Sequence, residues 1–287
     1  MSAHRLILWL KFFRLPNVLT VPGDVLAGAT LAGRPFPETV RDLAAVSLAY
    51  LFGMGLNDII DLREDRLHRP ERPLPSGELS PIHARIATAA LAFLALIAAP
   101  TPALLLLLLA VVAYTLLKNI SPLVGGLLMG TCRALALLTG AGFLADWHLR
   151  VQIPCAVLTA AVLWAGFIFI VTRLAEREHL PGTPTRLPWL LPVWFIAGLA
   201  ATALCLEDPI ALPAYVFLLL PPLSAAAAAR KITLAGGVRP HHIGICLALL
   251  FPLQSAALAL GQAWGAAAGI LLLMPLARLA RRWISAS

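Results

Sequence analysis

Apolar stretches recur along the whole chain, broken by short polar segments, and about 20 such residues suffice to cross a hydrocarbon core about 30 Å thick as a helix. The pattern predicts ten helices, at 15–33, 42–60, 83–99, 102–117, 122–144, 151–171, 187–206, 210–229, 241–261 and 264–282. Runs such as Ala103 to Ala113 lack the alternation of a barrel strand. A helix instead satisfies its own backbone in lipid. Tight turns at Ala99-Pro100-Thr101-Pro102 and Glu207-Asp208-Pro209 make the neighbouring helices antiparallel hairpins. The expected fold class is all-α: a polytopic transmembrane bundle of nine to ten spans, one domain over residues 1–287, with cap loops at about 61–81 and 173–187. The segment Leu15 to Gly33 carries Asn17 and Asp24 and lacks an A-x-A cleavage pattern, so it is read as a retained span rather than a cleaved leader.

Composition strengthens this pattern. Of 287 residues, 60% are hydrophobic and 13% charged, against about 25% charged in a soluble domain. The net charge of +8 would suggest nucleic acid in a soluble protein, but the basic residues fall between the apolar stretches and read as topology signals, with no nucleic-acid partner expected. With the N-terminus inside, the cytoplasmic segments hold Arg5, Lys11, Arg14, Arg63, Arg66, Arg69, Arg72, Arg85, Lys118, Arg173, Arg177, Arg186, Arg230, Lys231, Arg239, Arg278, Arg281 and Arg282. The other side holds only Arg34, Arg41 and Arg150, and Arg133 lies within a span. An integral protein of a bacterial inner membrane follows, with both termini cytoplasmic. Cys132, Cys155, Cys205 and Cys246 lie in apolar stretches without C-x-x-C spacing, so neither a disulfide framework nor a zinc site is expected.

Both long connections fall on the cytoplasmic side. With the adjoining helix end they hold Asp58, Asp61, Glu64, Asp65, Glu71, Glu78, Glu176 and Glu178, eight of the fourteen acidic residues. In Leu56-Asn57-Asp58-Ile59-Ile60-Asp61-Leu62-Arg63-Glu64-Asp65-Arg66, positions 57, 61 and 65 are four apart. If the second helix continues to Asp65, they form one stripe with Asp58 beside it. Three carboxylates and an amide together call for a cation, and hard oxygen donors suit Mg²⁺, which binds one or two carboxylates plus substrate phosphates. Arg63, Arg66, Arg69 and Arg72 follow at once, and guanidinium groups would take the remaining oxygens of a diphosphate.

The stretch Asn57-Asp58-x-x-Asp61-x-x-x-Asp65, followed by Arg69-Pro70-Glu71-Arg72-Pro73-Leu74-Pro75-Ser76-Gly77, resembles the first aspartate-rich motif of the UbiA superfamily of intramembrane prenyltransferases. Tyr114-x-x-x-Lys118 with Gly126, Gly130 and Arg133-Ala134-Leu135 resembles that family's fourth and fifth helices, and Arg14-x-Pro16-Asn17 its first. The resemblance implies a helical bundle around a central cavity with a polar cytoplasmic cap. It implies Mg²⁺-dependent transfer of a prenyl group from an isoprenoid diphosphate to a lipophilic or aromatic acceptor, with membrane lipid around it. By the same resemblance Asn57, Asp58, Asp61 and Asp65 hold metal and diphosphate, Arg69, Arg72 and Lys118 contact diphosphate oxygens, and Tyr114 sits beside the reacting allyl group. Arg14, Asn17 and Arg133 are expected near the substrate cavity.

Where the family places aspartates after the sixth span, this chain reads Val171-Thr172-Arg173-Leu174-Ala175-Glu176-Arg177-Glu178. Glu176 and Glu178 are candidate metal ligands, and Arg173 and Arg177 candidate diphosphate contacts. This departure, Cys132-Arg133-Ala134-Leu135 and the tenth helix are similar to the UbiA-like EboC branch. Asp24 beside Pro22-Gly23 either caps a broken helix or faces the cavity, and Arg133 either pairs structurally or contacts substrate. His241-His242 are expected to cap a helix, and Gly125, Gly126 and Gly130 to allow close packing. A transporter would show an inverted repeat and mid-membrane ion sites, whereas these carboxylates sit at one membrane edge. A degenerate relative that binds a prenyl lipid without turnover is the other alternative.

Overall fold

The computed structural model describes residues 3–147, 153–179, 185–206 and 208–284. Arg150 and Glu207 lie outside the described residues, as do the side chains of His179, Arg281, Arg282 and Trp283. The helices are α1 (Ala3–Phe12), α2 (Leu15–Val18), α3 (Val21–Leu31), α4 (Phe36–Ile60), α5 (Leu62–His68), α6 (Pro81–Ala98), α7 (Pro102–Leu117) and α8 (Pro122–Gly140). They continue as α9 (Cys155–Glu176), α10 (Leu190–Leu204), α11 (Ala214–Leu234), α12 (Pro240–Ala248), α13 (Leu250–Leu260) and α14 (Trp264–Ile284). No strand occurs among the described residues.

Helix forms within each of the ten predicted segments, but fewer qualify as full spans. By length and apolar character seven described helices can cross a membrane, with the α12–α13 pair counted as one, while α7 and α14 are shorter apolar helices. The first predicted span is broken. Pro22 has no N–H to give Val18, and the chain turns at Leu19 and Thr20 between α2 and α3. Pro252 likewise leaves the Ala248 carbonyl without its helical donor, and the boundary between α12 and α13 falls at Leu249. α9 runs past its predicted end at 171 through Glu176, which brings Thr172 and Arg173 onto a regular helix. Thr101 and Ser121 cap α7 and α8 by accepting from the amides of Leu104 and Val124, each at 3.2 Å.

The bundle closes around α8, which packs on α3, α7 and α9. Glycines set the spacing: a Cβ on Gly126 would lie 2.8 Å from the Phe169 ring, and one on Gly130 2.6 Å from the Ala165 carbonyl oxygen. These two contacts fix the antiparallel register of α8 and α9. Four residues further on, Arg173 comes level with Pro122, just after Lys118. In the other direction Cys155 comes level with Gly140, at the opposite face. There Cys155 is disulfide-bonded to Cys205, with Cα atoms 5.4 Å apart. This corrects the expectation of four unpaired cysteines: fifty residues of sequence separate the two, but they occupy the same end of the α9–α10 hairpin. Cys132 and Cys246 are free.

Exposed Ile82, Ile86, Phe93 and Ile97 on α6, with Val193 and Ile196 on α10, give the outer surface the apolar character that lipid requires. Inside, Trp164, Phe167 and Phe195 anchor one core around α9, and Leu104, Leu107 and Val111 with Val46 anchor another between α4 and α7. His242 accepts the Arg239 amide through Nδ1 at 3.1 Å and caps α12, as the sequence suggests.

Candidate functional site

The acid-rich segment begins inside the last turn of α4. Although the helix is interrupted at Asp61, its ladder of amide bonds runs on: Asp61 donates to Asn57, Asp65 to Asp61 and Arg69 to Asp65, at 2.8 to 2.9 Å. The expected register therefore survives the junction. The four side chains Asn57, Asp58, Asp61 and Asp65 do not stay in one stripe, because the three carboxylates repel each other. They separate into two pairs, each closed by a cation. The Lys118 ammonium lies 2.5 Å from both Asn57 Oδ1 and Asp61 Oδ2, while the Asn57 amide donates to Asp61 at 2.9 Å. The Arg72 guanidinium lies 2.6 Å from Asp65 and 3.7 Å from Asp58. A third cation, Arg14, approaches Asp58 at 2.5 Å.

Three carboxylates thus face three cations, and Asp58 and Asp65 are only 5% exposed. Arg14 sits at φ 46°, the left-handed region, just before Pro16 opens α2, and this turn aims it at Asp58. Its place is in the charged cluster rather than along the cavity where it was expected. Asn17 is likewise absent from the cavity wall and spends its backbone carbonyl on Thr20. Among the described residues no three His, Cys, Asp or Glu side chains form a ready metal cage. Arg69 ends α5 and is exposed.

Directly inward of the cluster lies a cavity of about 70 Å³, walled by Met54, Gly53 and Tyr50 on α4, Tyr114 and Val111 on α7, and Cys132 and Arg133 on α8. Tyr114 stands one turn from Lys118, whose amide it accepts at 2.9 Å, and so joins cluster to cavity. The cavity walls are otherwise apolar.

Below and behind the cavity is a second polar centre. Asp24 is completely buried and binds the Arg133 guanidinium, the Trp164 indole N–H at 2.7 Å and the Gln254 amide at 2.6 Å. Arg133 also donates to the Thr20 hydroxyl at 2.5 Å, and Gln254 donates to the Thr20 carbonyl at 2.6 Å. That carbonyl lies at the break between α2 and α3, so the network also completes the hydrogen bonding of irregular backbone at membrane depth. Of the alternatives left open for Arg133, the structural ion pair is present; the side chain also borders the cavity, with its guanidinium 5.6 Å from the centre of the Tyr50 ring. Sequence reasoning did not find Thr20, Trp164 or Gln254. The one signal was a lone glutamine in the apolar run 241–261.

The second motif differs. Arg173 pairs with Glu176 along α9, both about one-third exposed, and Arg177 and Glu178 enter a short 3₁₀ turn. Glu176 lies on α9 beside Arg173 and is not among the partners of the first cluster. The Arg173–Glu176 pair is local and partly solvated.

The fold and site place a charged cluster at one edge of a helical bundle, over an apolar cavity. The sequence profile of the UbiA prenyltransferase family matches residues 21–240, and the chain belongs to that family. Digeranylgeranylglyceryl phosphate synthase of Methanococcus maripaludis (strain C7) is 37% identical over 92 residues, covering 31% of this chain and 33% of that protein. The synthase of Ignicoccus hospitalis is 32% identical over 178 residues, 60% of this chain and 58% of its own. The chain thus spans from about a third to somewhat over half the length of these relatives. Among solved structures, one of digeranylgeranylglyceryl phosphate synthase in membranes superimposes with TM-score 0.63 at 16% identity, covering 90% of this chain and 98% of that one. A UbiA homologue from Archaeoglobus fulgidus, bound to DMAPP and Mg²⁺, superimposes with TM-score 0.57 at 17% identity over 88% and 99%. These likenesses establish the fold.

Proposed function

We propose that this chain catalyses Mg²⁺-dependent transfer of a prenyl group from an isoprenoid diphosphate to a lipophilic or aromatic acceptor. The observation that carries the reading is the pairing of acid seats over the cavity: Asn57 and Asp61 share Lys118, and Asp58 and Asp65 share Arg72. Two convergent oxygens per seat match a metal that takes one or two carboxylates and completes its shell with water and phosphate, so the residues fit Mg²⁺ without a closed cage. The cluster is already neutral, so an incoming diphosphate arrives with a positive partner of its own. Mg²⁺, when bound, supplies charge that neutralises the departing diphosphate.

The cations then change role. Lys118 and Arg72 turn from the carboxylates to the diphosphate oxygens, joined from the rim by Arg69, Arg173 and Arg177. The allylic C–O bond breaks, its electron pair leaves on the diphosphate, and the allylic cation stays beside Tyr114. An electron pair of the acceptor forms the new C–C or C–O bond, and the acceptor loses a proton. Low dielectric around Asp58 and Asp65 strengthens each of these interactions. Register supports a place for Arg173 near Lys118. Glu176 holds Arg173 in position, and the altered second motif works as a guanidinium clamp that needs no second metal.

The reading extends to the EboC-like branch, supported by the Thr172–Glu178 pattern, the Cys132-Arg133-Ala134-Leu135 stretch and α14. It also treats the chain as one domain of a bacterial inner membrane with the cluster facing the cytoplasm. The Lys and Arg distribution supports that orientation, and so does the disulfide at the far face, since disulfides persist in oxidising compartments. A second reading, prenyl-lipid binding without turnover, draws on the engagement of Glu176 by Arg173.

Diphosphate release by the purified protein from geranyl, farnesyl and longer prenyl diphosphates, with and without Mg²⁺ and with lysate extract as acceptor source, separates the two. Metal-dependent release that Asp61→Ala abolishes is the expected result. Tight metal-dependent binding of donor with no release would leave the binding role.

A further inference from the structure

On the same membrane face as the acid cluster, but on its own set of helices, α11, α12, α13 and α14 line an open groove of about 490 Å³. Lys231 near the end of α11, His241 at the start of α12 and Arg278 near the end of α14 line its mouth, and Ile245, Phe251 and Met274 continue its wall into the span. Among the described residues, no carboxylate lines it.

Several cations elsewhere are neutralised within the protein. Arg14, Arg34, Arg72, Lys118, Arg133 and Arg173 each have an acidic partner. The exposed side chains of Lys231 and Arg278 have neither an ion pair nor a hydrogen bond among the described residues. Two cations from helices far apart in sequence are therefore brought to one groove without an internal counter-ion, although like charges held together there repel. An anion in the groove relieves that repulsion. The wall below it is apolar and lies at the depth of acyl chains, which selects an anion that carries a hydrocarbon tail.

We propose that this groove binds an anionic phospholipid of the surrounding leaflet, with the headgroup phosphate between Lys231 and Arg278 and an acyl chain along Ile245, Phe251 and Met274. The arrangement suits basic pockets between helices, which bind anionic headgroups. This site is independent of the transfer reaction, because no residue of the acid cluster lines it.

The test is native mass spectrometry of the full chain in detergent, titrated with phosphatidylglycerol, phosphatidylcholine or inorganic phosphate. Phosphatidylglycerol is expected to bind at least about fivefold more tightly than phosphatidylcholine, and Lys231→Gln with Arg278→Gln to weaken it about tenfold. A control that removes equal charge from exposed positions outside the groove, Arg85→Gln with Arg230→Gln, is expected to change binding less than about twofold. Equal affinity for the two lipids, or equal loss in the control, would show diffuse attraction only and overturn the site. Displacement of phosphatidylglycerol by millimolar inorganic phosphate would overturn the lipid as its occupant. Unchanged melting temperatures of both double variants confirm that binding, not folding, was measured.

Discussion

Two acid–base centres in this chain, one at the membrane edge and one at its middle, use the same residue types to opposite ends. Around Asp24 each donor is committed: Arg133, Trp164 and Gln254 converge on one carboxylate that has no contact with solvent. Around Asp58, Asp61 and Asp65 the cations are shared, Lys118 between two side chains and Arg72 between two more, and every cation keeps some solvent exposure. A centre whose donors are all committed holds helices together. A shared one can exchange partners, as a site for metal and diphosphate must.

The mid-membrane centre is the place to break this comparison most forcefully. Asp24→Ala leaves the Arg133 guanidinium buried without its counter-charge, and such a loss costs about 3–5 kcal/mol. A large fall in melting temperature and in folded yield is expected. Adding Arg133→Met should recover most of that loss, because replacing both members of a buried pair by apolar side chains is often near neutral. Detergent thermal melts of the two singles and the double measure the coupling directly; a double variant as unstable as Asp24→Ala would mean that the network does more than hold helices.

The edge centre should answer the same cycle differently. Asp61→Asn keeps size and packing, and a hundredfold or greater loss in prenyl transfer is expected, about 2.7 kcal/mol in barrier, with the melting temperature close to that of the parent. Adding Lys118→Met neutralises the pair yet should restore nothing, because the lost function is the seat itself. Recovery of transfer in the double variant would recast this pair as structural. Arg72→Lys, which keeps the charge but cannot span Asp58 and Asp65 with one planar group, should cost about tenfold in kcat with little change in stability.

What the sequence made legible follows the same division. Length and apolarity give helices, and the spacing of Asn57, Asp58, Asp61 and Asp65 gives the edge centre, because those signals are local. Lys118 is sixty-one residues from Asn57, and its role was available only through the resemblance. The Asp24 network draws on α3, α8, α9 and α13, so no stretch of sequence contains it, and Gln254 looked like any polar residue in a span. The disulfide was hidden for a similar reason, since hairpin register, not Cys spacing, brings Cys155 to Cys205. The break before Pro22 took the first predicted stretch out of the count of full-length spans, a change that apolar periodicity does not register.

The smallest effect concerns the second motif and sharpens the comparison most finely. Glu176 and Arg173 are three residues apart on α9, each about one-third exposed, and such pairs contribute about 0–1 kcal/mol. If Glu176 only positions Arg173, then Glu176→Gln, which still accepts a hydrogen bond, should slow transfer by no more than about fivefold. Arg173→Gln, which removes the diphosphate contact, should raise the donor KM more than Glu176→Gln does. The Mg²⁺ dependence should be the same in Glu176→Gln as in the parent, because the carboxylate is not a ligand. A rise in the Mg²⁺ requirement in Glu176→Gln would instead return the glutamate to the metal, and the second centre would then resemble the first in kind as well as in composition. Titration of activity against Mg²⁺ in the parent and the two variants decides between a clamp and a ligand, since only a ligand ties the metal requirement to residue 176.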